Sequence, residues 1–283
     1  MFAEFRHQLI RSRGQIIGWG IGLALYGLMM IGFYGSFAGM EDQFQQIIDI
    51  YPKEMQAFFG DFEQMMTPDG WLSIEYFSLM PIIIGIFVVL AGSGLLAASE
   101  EDGTLDLIAA HPLSRSHLFW GRILAFVVTT ILILLAAWGL GLVIPATLFD
   151  FPATWLEMLL PFASLFAFLM LFGGLAILLS MIVPSRRMAA MLSGGILVLS
   201  YFVSGLGELV DEMKVAADFS PYSYFQSGDA MGGLNWTWAL GLLGVALLFT
   251  LLAWWRFQRR DIRVAGEGGW SFRPRLRRSA SAG

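Results

Sequence analysis

Glu100-Glu101-Asp102-Gly103-Thr104-Leu105-Asp106-Leu107-Ile108-Ala109-Ala110-His111-Pro112-Leu113-Ser114-Arg115-Ser116-His117-Leu118-Phe119-Trp120-Gly121-Arg122 is a polar island between two charge-free runs, 76–99 and 123–149. Those runs are 24 and 27 residues long. A helix needs roughly 20 apolar residues to cross about 30 Å of hydrocarbon. A charge at the bilayer centre costs about 2.5–3.5 kcal/mol on insertion scales. The island therefore marks where the chain leaves the membrane and turns back. Four more charge-free runs exist, 14–40, 158–185, 188–207 and 230–255, of 27, 28, 20 and 26 residues. The chain is 57% hydrophobic and 14% charged, with mean hydropathy +0.68. Soluble domains carry about 25% charged residues. The expected fold class is an all-α integral membrane protein with six transmembrane helices, at about 16–37, 74–99, 118–148, 158–183, 188–208 and 236–256.

An even number of spans puts both termini on one side. If that side is the cytosol, the inner segments hold 15 of the 17 basic residues, and only Lys53 and Lys214 lie outside. Seven carboxylates fall inside and 15 outside, so the faces sum to +8 and −13. The positive-inside rule then gives N-in and C-in. Trp71, Trp155, Trp236 and Trp238 fall at outer span ends, and Trp120, Trp254 and Trp255 at inner ends, where aromatic belts sit. Ser36-Phe37-Ala38 could mark a leader-cleavage site, but about 20 apolar residues precede it, against the usual 7–15.

Residues 2–13 space Phe2, Phe5, Leu9 and Ile10 three and four apart among Arg6, His7, Arg11 and Arg13. That pattern is a basic amphipathic helix on the inner leaflet, with a disordered basic tail as the alternative. Gly14, Gly18 and Gly22 form a small-residue face for close helix approach. The outer loop at 38–73 keeps helical spacing of Phe44, Ile47, Ile48, Tyr51, Met55, Phe58, Phe59 and Phe62. Met40, Met55, Met65 and Met66 there are read as packing rather than as a soft-metal site. The arginine-, glycine- and serine-rich tail 257–283 is expected to be mostly disordered and to graze anionic headgroups.

Catalytic motifs are missing. The three histidines show no His-Glu-x-x-His spacing, and no Gly-x-Ser-x-Gly elbow occurs. No cysteine is present, so thiolate and disulfide chemistry are excluded. Neither lysine follows a glycine-rich phosphate loop. No span centre carries an ionisable residue of the kind that ion-coupled carriers use. Nothing in the pattern points to nucleic acid, and no metal or catalytic site is expected. What remains is an unpowered membrane body with one cytosolic knob. Within the knob, Ser99 followed by Asp102 is a capping-box-like start, Leu105, Ile108 and Ala109 make one stripe, Pro112 stops the turn and Ser114 can cap the third span. The bland alternative is a solvated loop parked on the membrane.

The island from Glu100 to Arg115 resembles the coupling-helix element of the ABC type 2 permeases: acidic residues, Gly103-Thr104-Leu105, acidic Asp106, a hydrophobic pair, then Pro112-Leu113-Ser114-Arg115. His111 departs from the family's small or polar residue. The resemblance implies that residues 1–256 form a transmembrane permease domain. Residues 100–115 would seat in a separate nucleotide-binding ATPase subunit, with Glu100, Glu101, Asp102, Gly103, Thr104, Leu105, Asp106, Ile108, Pro112, Ser114 and Arg115 as the coupling residues. ATP and Mg would sit on that partner and none on this chain. A second permease, in a homodimer or heterodimer, would complete the complex in the plasma membrane of a prokaryotic cell. Spans 2 and 5 would line the path, offering Ser93, Ser193, Ser200, Tyr201, Ser204 and, at the outer end, Glu208. Ordinary interhelical hydrogen bonding accounts equally well for any one of these. With no charge at depth, a hydrophobic or amphipathic substrate moved outward fits better than a bare ion. A non-transporting assembly or sensor subunit, docking another cytosolic protein through 100–115, is the other reading.

Overall fold

The computed structural model describes residues 1–38, 67–101 and 114–259. They form helices and turns, with no strand among the described residues. In chain order the helices are α1 (Phe2–Arg11), α2 (Arg13–Ala38), α3 (Pro68–Phe77), α4 (Met80–Gly94), α5 (Ala97–Glu101), α6 (Arg115–Leu148), α7 (Trp155–Ile182), α8 (Arg186–Leu209), α9 (Lys214–Asp218) and α10 (Trp236–Arg259). The expected helix through Phe44 and Phe62, the centre of the island and nearly all of the basic tail lie outside the described residues.

Helices α2, α6, α7, α8 and α10 are each long and apolar enough to cross a membrane. The span expected at 74–99 is instead in pieces. Helices α3 and α4 meet at 41°, and α5 follows after a turn at Leu95 and Leu96. The first break sits beside Pro81, in the first turn of α4. Proline has no N–H for the carbonyl four residues back and its ring crowds that carbonyl, so the chain bends there. Counting the bent pair as one, six spans stand.

Helix α7 is the axis of the bundle. It is apolar all round, and 72% of its most apolar window is buried, against 22% for α10 and 28% for α2 and α8. A helix without a polar face belongs in the middle. Gly173 and Gly174 let two neighbours approach on adjacent faces. A Cβ on Gly173 would lie 2.7 Å from the Phe126 ring, and one on Gly174 would lie 2.8 Å from the Ala246 carbonyl. Small residues replace the hydrophobic effect as the driver of helix contact in lipid, because close backbones gain dispersion.

Helix α2 packs through glycines other than those expected. A Cβ on Gly27 would lie 2.6 Å from the Gly141 carbonyl oxygen of α6, and one on Gly141 would lie 2.9 Å from Ala24 Cα. Around Gly14, Gly18 and Gly22 nothing comes within 4 Å, so that stripe faces away from this bundle. The contact falls where α6 widens into a π-helical segment, Ala137–Val143, just before Pro145. Trp71 is also not a belt residue. It is buried at 2% exposure and its indole Nε1 donates to the Met30 carbonyl at 2.9 Å. Trp155, Trp236 and Trp255 are exposed.

Contacts sort the turns to two ends. Glu4, Ser99, Glu101, Ser116, Arg122, Arg186 and Gln258 meet at one, the arginine-rich end. Ser73 meets Ser227, Trp138 meets Trp155 and Gln226 meets Asn235 at the other, the acidic end.

Candidate functional site

At the arginine-rich end, Arg122 is buried at 4% exposure. Its Nε donates to Glu4 Oε1 at 2.8 Å, and its Nη1 donates to the Leu95 carbonyl at 2.8 Å and to Ser99 Oγ at 2.9 Å. One guanidinium thus ties α1, the α4–α5 turn and α6 together. Gly121 makes the approach of α1 possible, since a Cβ there would lie 2.9 Å from the Met1 carbonyl. Guanidinium is the cation best suited to this place, because its fixed fork of donors matches several acceptors at once.

Ser99 lies inside α5 and accepts from Arg122; it does not start a helix as its spacing to Asp102 predicts. Glu100 is buried. Glu101, the last residue of α5, faces the short turn before α8. Its Oε1 accepts the Arg186 backbone N–H at 2.9 Å, and its Oε2 lies 3.1 Å from Arg186 Nε. Ser114 caps α6, accepting from the His117 N–H at 3.3 Å, as expected. Arg115 opens that helix, half-buried. Asp102, Gly103, Thr104, Leu105, Asp106, Ile108 and Pro112 lie outside the described residues.

At the acidic end a cavity of about 850 Å³ opens between α3, α8 and the turns that follow α9. Hydroxyls of Ser73, Ser78, Tyr201, Ser204, Ser223 and Ser227 line it, with Tyr222, Phe225 and Trp238 supplying rings. One wall is the flank of α8 at Phe202, Leu206 and Leu209, all exposed. The 221–232 segment is pinned by side chains. Ser200 and Ser220 share a 2.7 Å hydrogen bond, the Tyr222 N–H donates to Ser200 Oγ at 3.0 Å, and Tyr222 Oη donates to the Ser78 carbonyl at 2.7 Å. Gln226 donates its N–H to Ser164 Oγ at 3.0 Å.

Of the polar path candidates whose side chains are described, Tyr201 and Ser204 line this cavity. Ser93 and Ser193 are buried and donate to their own helices, to the Leu90 and Ala189 carbonyls at 3.2 and 2.8 Å. Ser200 is spent on the 220–222 turn. Glu208 lies in α8, and its side chain is outside the described set. Tyr222, Ser223 and Ser73 escaped sequence reading because they come from a loop and from the broken span. A serine-tyrosine-rich stretch, Ser220-Pro221-Tyr222-Ser223-Tyr224, was the available signal. Glu4 and Arg122 were legible as charges but not as partners, being 118 residues apart.

Among the described residues no cluster of His, Cys, Asp and Glu could hold a metal ion. Residues 4–262 match the family described as ABC-2 family transporter protein. No curated protein matches the chain.

Proposed function

The chain belongs to the ABC-2 family of transporter proteins, and from that premise we propose that it is a permease subunit powered by a separate nucleotide-binding ATPase and moving a hydrophobic or amphipathic substrate outward. The multi-pass membrane body follows from its helices. The partner ATPase would bind ATP and Mg and engage residues 100–115, and two permease copies, identical or related, would face each other in the plasma membrane of a prokaryotic cell, N-in and C-in.

The observation that carries this reading is the fork between Glu101 and Arg186. It links the first turn of the island directly to the start of α8, the helix that forms one wall of the 850 Å³ cavity. The pair is exposed, at 41% for Glu101 and 53% for Arg186, so its static contribution is about 0–1 kcal/mol. Its value lies in direction: two bonds to one carboxylate transmit a push as a push on α8. Movement of the island would also bear on Arg122, and through it on α1 and α6. The exposed flank at Phe202, Leu206 and Leu209 is where a second copy would close the cavity.

The test pairs Glu101→Lys with Asp102→Lys, leaving buried Glu100 intact, in the chain co-expressed with its ATPase. The expected result is normal membrane insertion with loss of substrate-stimulated ATP hydrolysis. Wild-type stimulation would overturn the coupling role of this fork. A stably monomeric chain that retains no ATPase would favour the assembly or sensor reading instead.

A further inference from the structure

A second recess, of about 180 Å³, lies at the arginine-rich end between α1, α2, α4, α6 and α8. Arg11, Arg122 and Arg186 line it, with Gln8, Ser12 and Thr129. Among the described residues no carboxylate lines it. Arg122 and Arg186 are answered by Glu4 and Glu101, which approach from outside the recess. Arg11 has no ion pair among the described residues. Thr129 adds an independent sign. Its residue is 2% exposed and its Oγ1 is buried with no hydrogen-bond partner. A buried hydroxyl without a partner has lost its water and gained nothing in return, a net cost to the fold. The recess therefore has positive charge to spare and a donor in want of an acceptor.

We propose that this recess holds the phosphate of a phospholipid from the leaflet at the arginine-rich end. Phosphate supplies what is missing: several strong acceptors for Arg11 and Thr129, and negative charge for an arginine-lined, carboxylate-free wall. The volume takes a phosphate and excludes the chains. Leu90 of α4, 59% exposed, borders the recess and offers an acyl chain an apolar track. On α1, Phe2 and Ile10 are exposed as well, which seats that helix in the same headgroup layer. Basic pockets between spans on the cytoplasmic side are suited to lipid headgroups on general grounds. The proposal does not depend on the transport reading.

The experiment is native mass spectrometry of the full chain in detergent, titrated with phosphatidylglycerol, glycerol 3-phosphate or inorganic phosphate, with thermal melting in parallel. The variants are Arg11→Gln, Thr129→Val and, as a control for general charge, Arg6→Gln, whose residue is exposed on α1 and does not line the recess. A retained lipid adduct is expected, weakened about tenfold by Arg11→Gln and by Thr129→Val, and unchanged by Arg6→Gln. Thr129→Val should also raise the melting temperature of the lipid-free chain, because an unpaired buried hydroxyl is gone; a merely structural threonine would lower it. Equal weakening by Arg6→Gln and Arg11→Gln would overturn the proposal, as would an adduct indifferent to Thr129→Val. Displacement of lipid by equimolar inorganic phosphate would reassign the recess to the free ion, and absence of any retained lipid would also refute it.

Discussion

Arg122 and Glu4 form a 2.8 Å ion pair with side chains only 4% and 11% exposed, joining the first helix of the chain to α6. Paired charges this deep add little over an apolar replacement of equal volume, but removing one partner strands the other. Glu4→Ala should therefore destabilise the chain by about 3 kcal/mol, read as a shift of the unfolding midpoint in mixed micelles. Glu4→Met combined with Arg122→Met should recover most of the loss. A single Glu4→Ala loss below about 1 kcal/mol would show that Leu95 and Ser99 suffice to hold the guanidinium.

Gly27 and Gly22 are predicted to behave oppositely. A Cβ on Gly27 collides with backbone at 2.6 Å, while Gly22 has open space. Gly27→Ala should cost at least about 2 kcal/mol through forced separation of α2 and α6. Gly22→Ala should be neutral or stabilising by up to about 1 kcal/mol, because alanine orders a helix better than glycine. Melting of the two variants in the same detergent compares them directly.

Exchanging the Glu101 and Arg186 charges tests coupling separately from folding. Either Glu101→Arg or Arg186→Glu alone should uncouple ATP hydrolysis from substrate, with a stability change of no more than about 1 kcal/mol, since the pair is well exposed. The double exchange should restore part of the coupling. Failure of restoration would locate the important contact in the Arg186 backbone N–H, which charge exchange leaves without its acceptor.

Pro81→Ala should straighten the α3–α4 bend. With an N–H returned at position 81, a continuous helix becomes available and the 41° angle should shrink. Spin labels on Ile74 and Leu90 would report a longer separation. An unchanged distance would mean that Ser73, Ser78 and the 221–232 segment hold the bend without the proline.

Five spans were legible because the penalty for charge in lipid is large and local, so charge-free runs mark them, whereas the run 76–99 showed neither the start at Pro68 nor the break before Met80. Arginine segregation was legible for the same reason. The glycine pattern misled: Gly14, Gly18 and Gly22 repeat at helical spacing, yet contact is made by Gly27 and Gly141. Period four tells which residues share a face and says nothing about what stands opposite. Trp71 misled similarly, because a tryptophan at a span end satisfies its N–H as well from the Met30 carbonyl as from the interface. Among the path candidates with described side chains, the cavity at the acidic end drew on Tyr201 and Ser204, since its other hydroxyls come from the broken span and from a loop whose return into the bundle is set by tertiary pairing between Ser200, Ser220 and Tyr222.

The π-helical segment Ala137–Val143 has a consequence for the two halves of α6. A wide turn accommodates one residue more than an α-turn, and one residue is about 100° of rotation. It thus acts as a phase shifter. The half below it is set so that Arg122 meets α1, and Gly141, inside the wide segment itself, is set so that it meets Gly27. Deleting a single residue between 137 and 143 would let the segment close to a regular α-helix with its flanks in phase, whereas a deletion elsewhere between Arg122 and Gly141 would turn one of those two faces by about 100° toward the wrong neighbour.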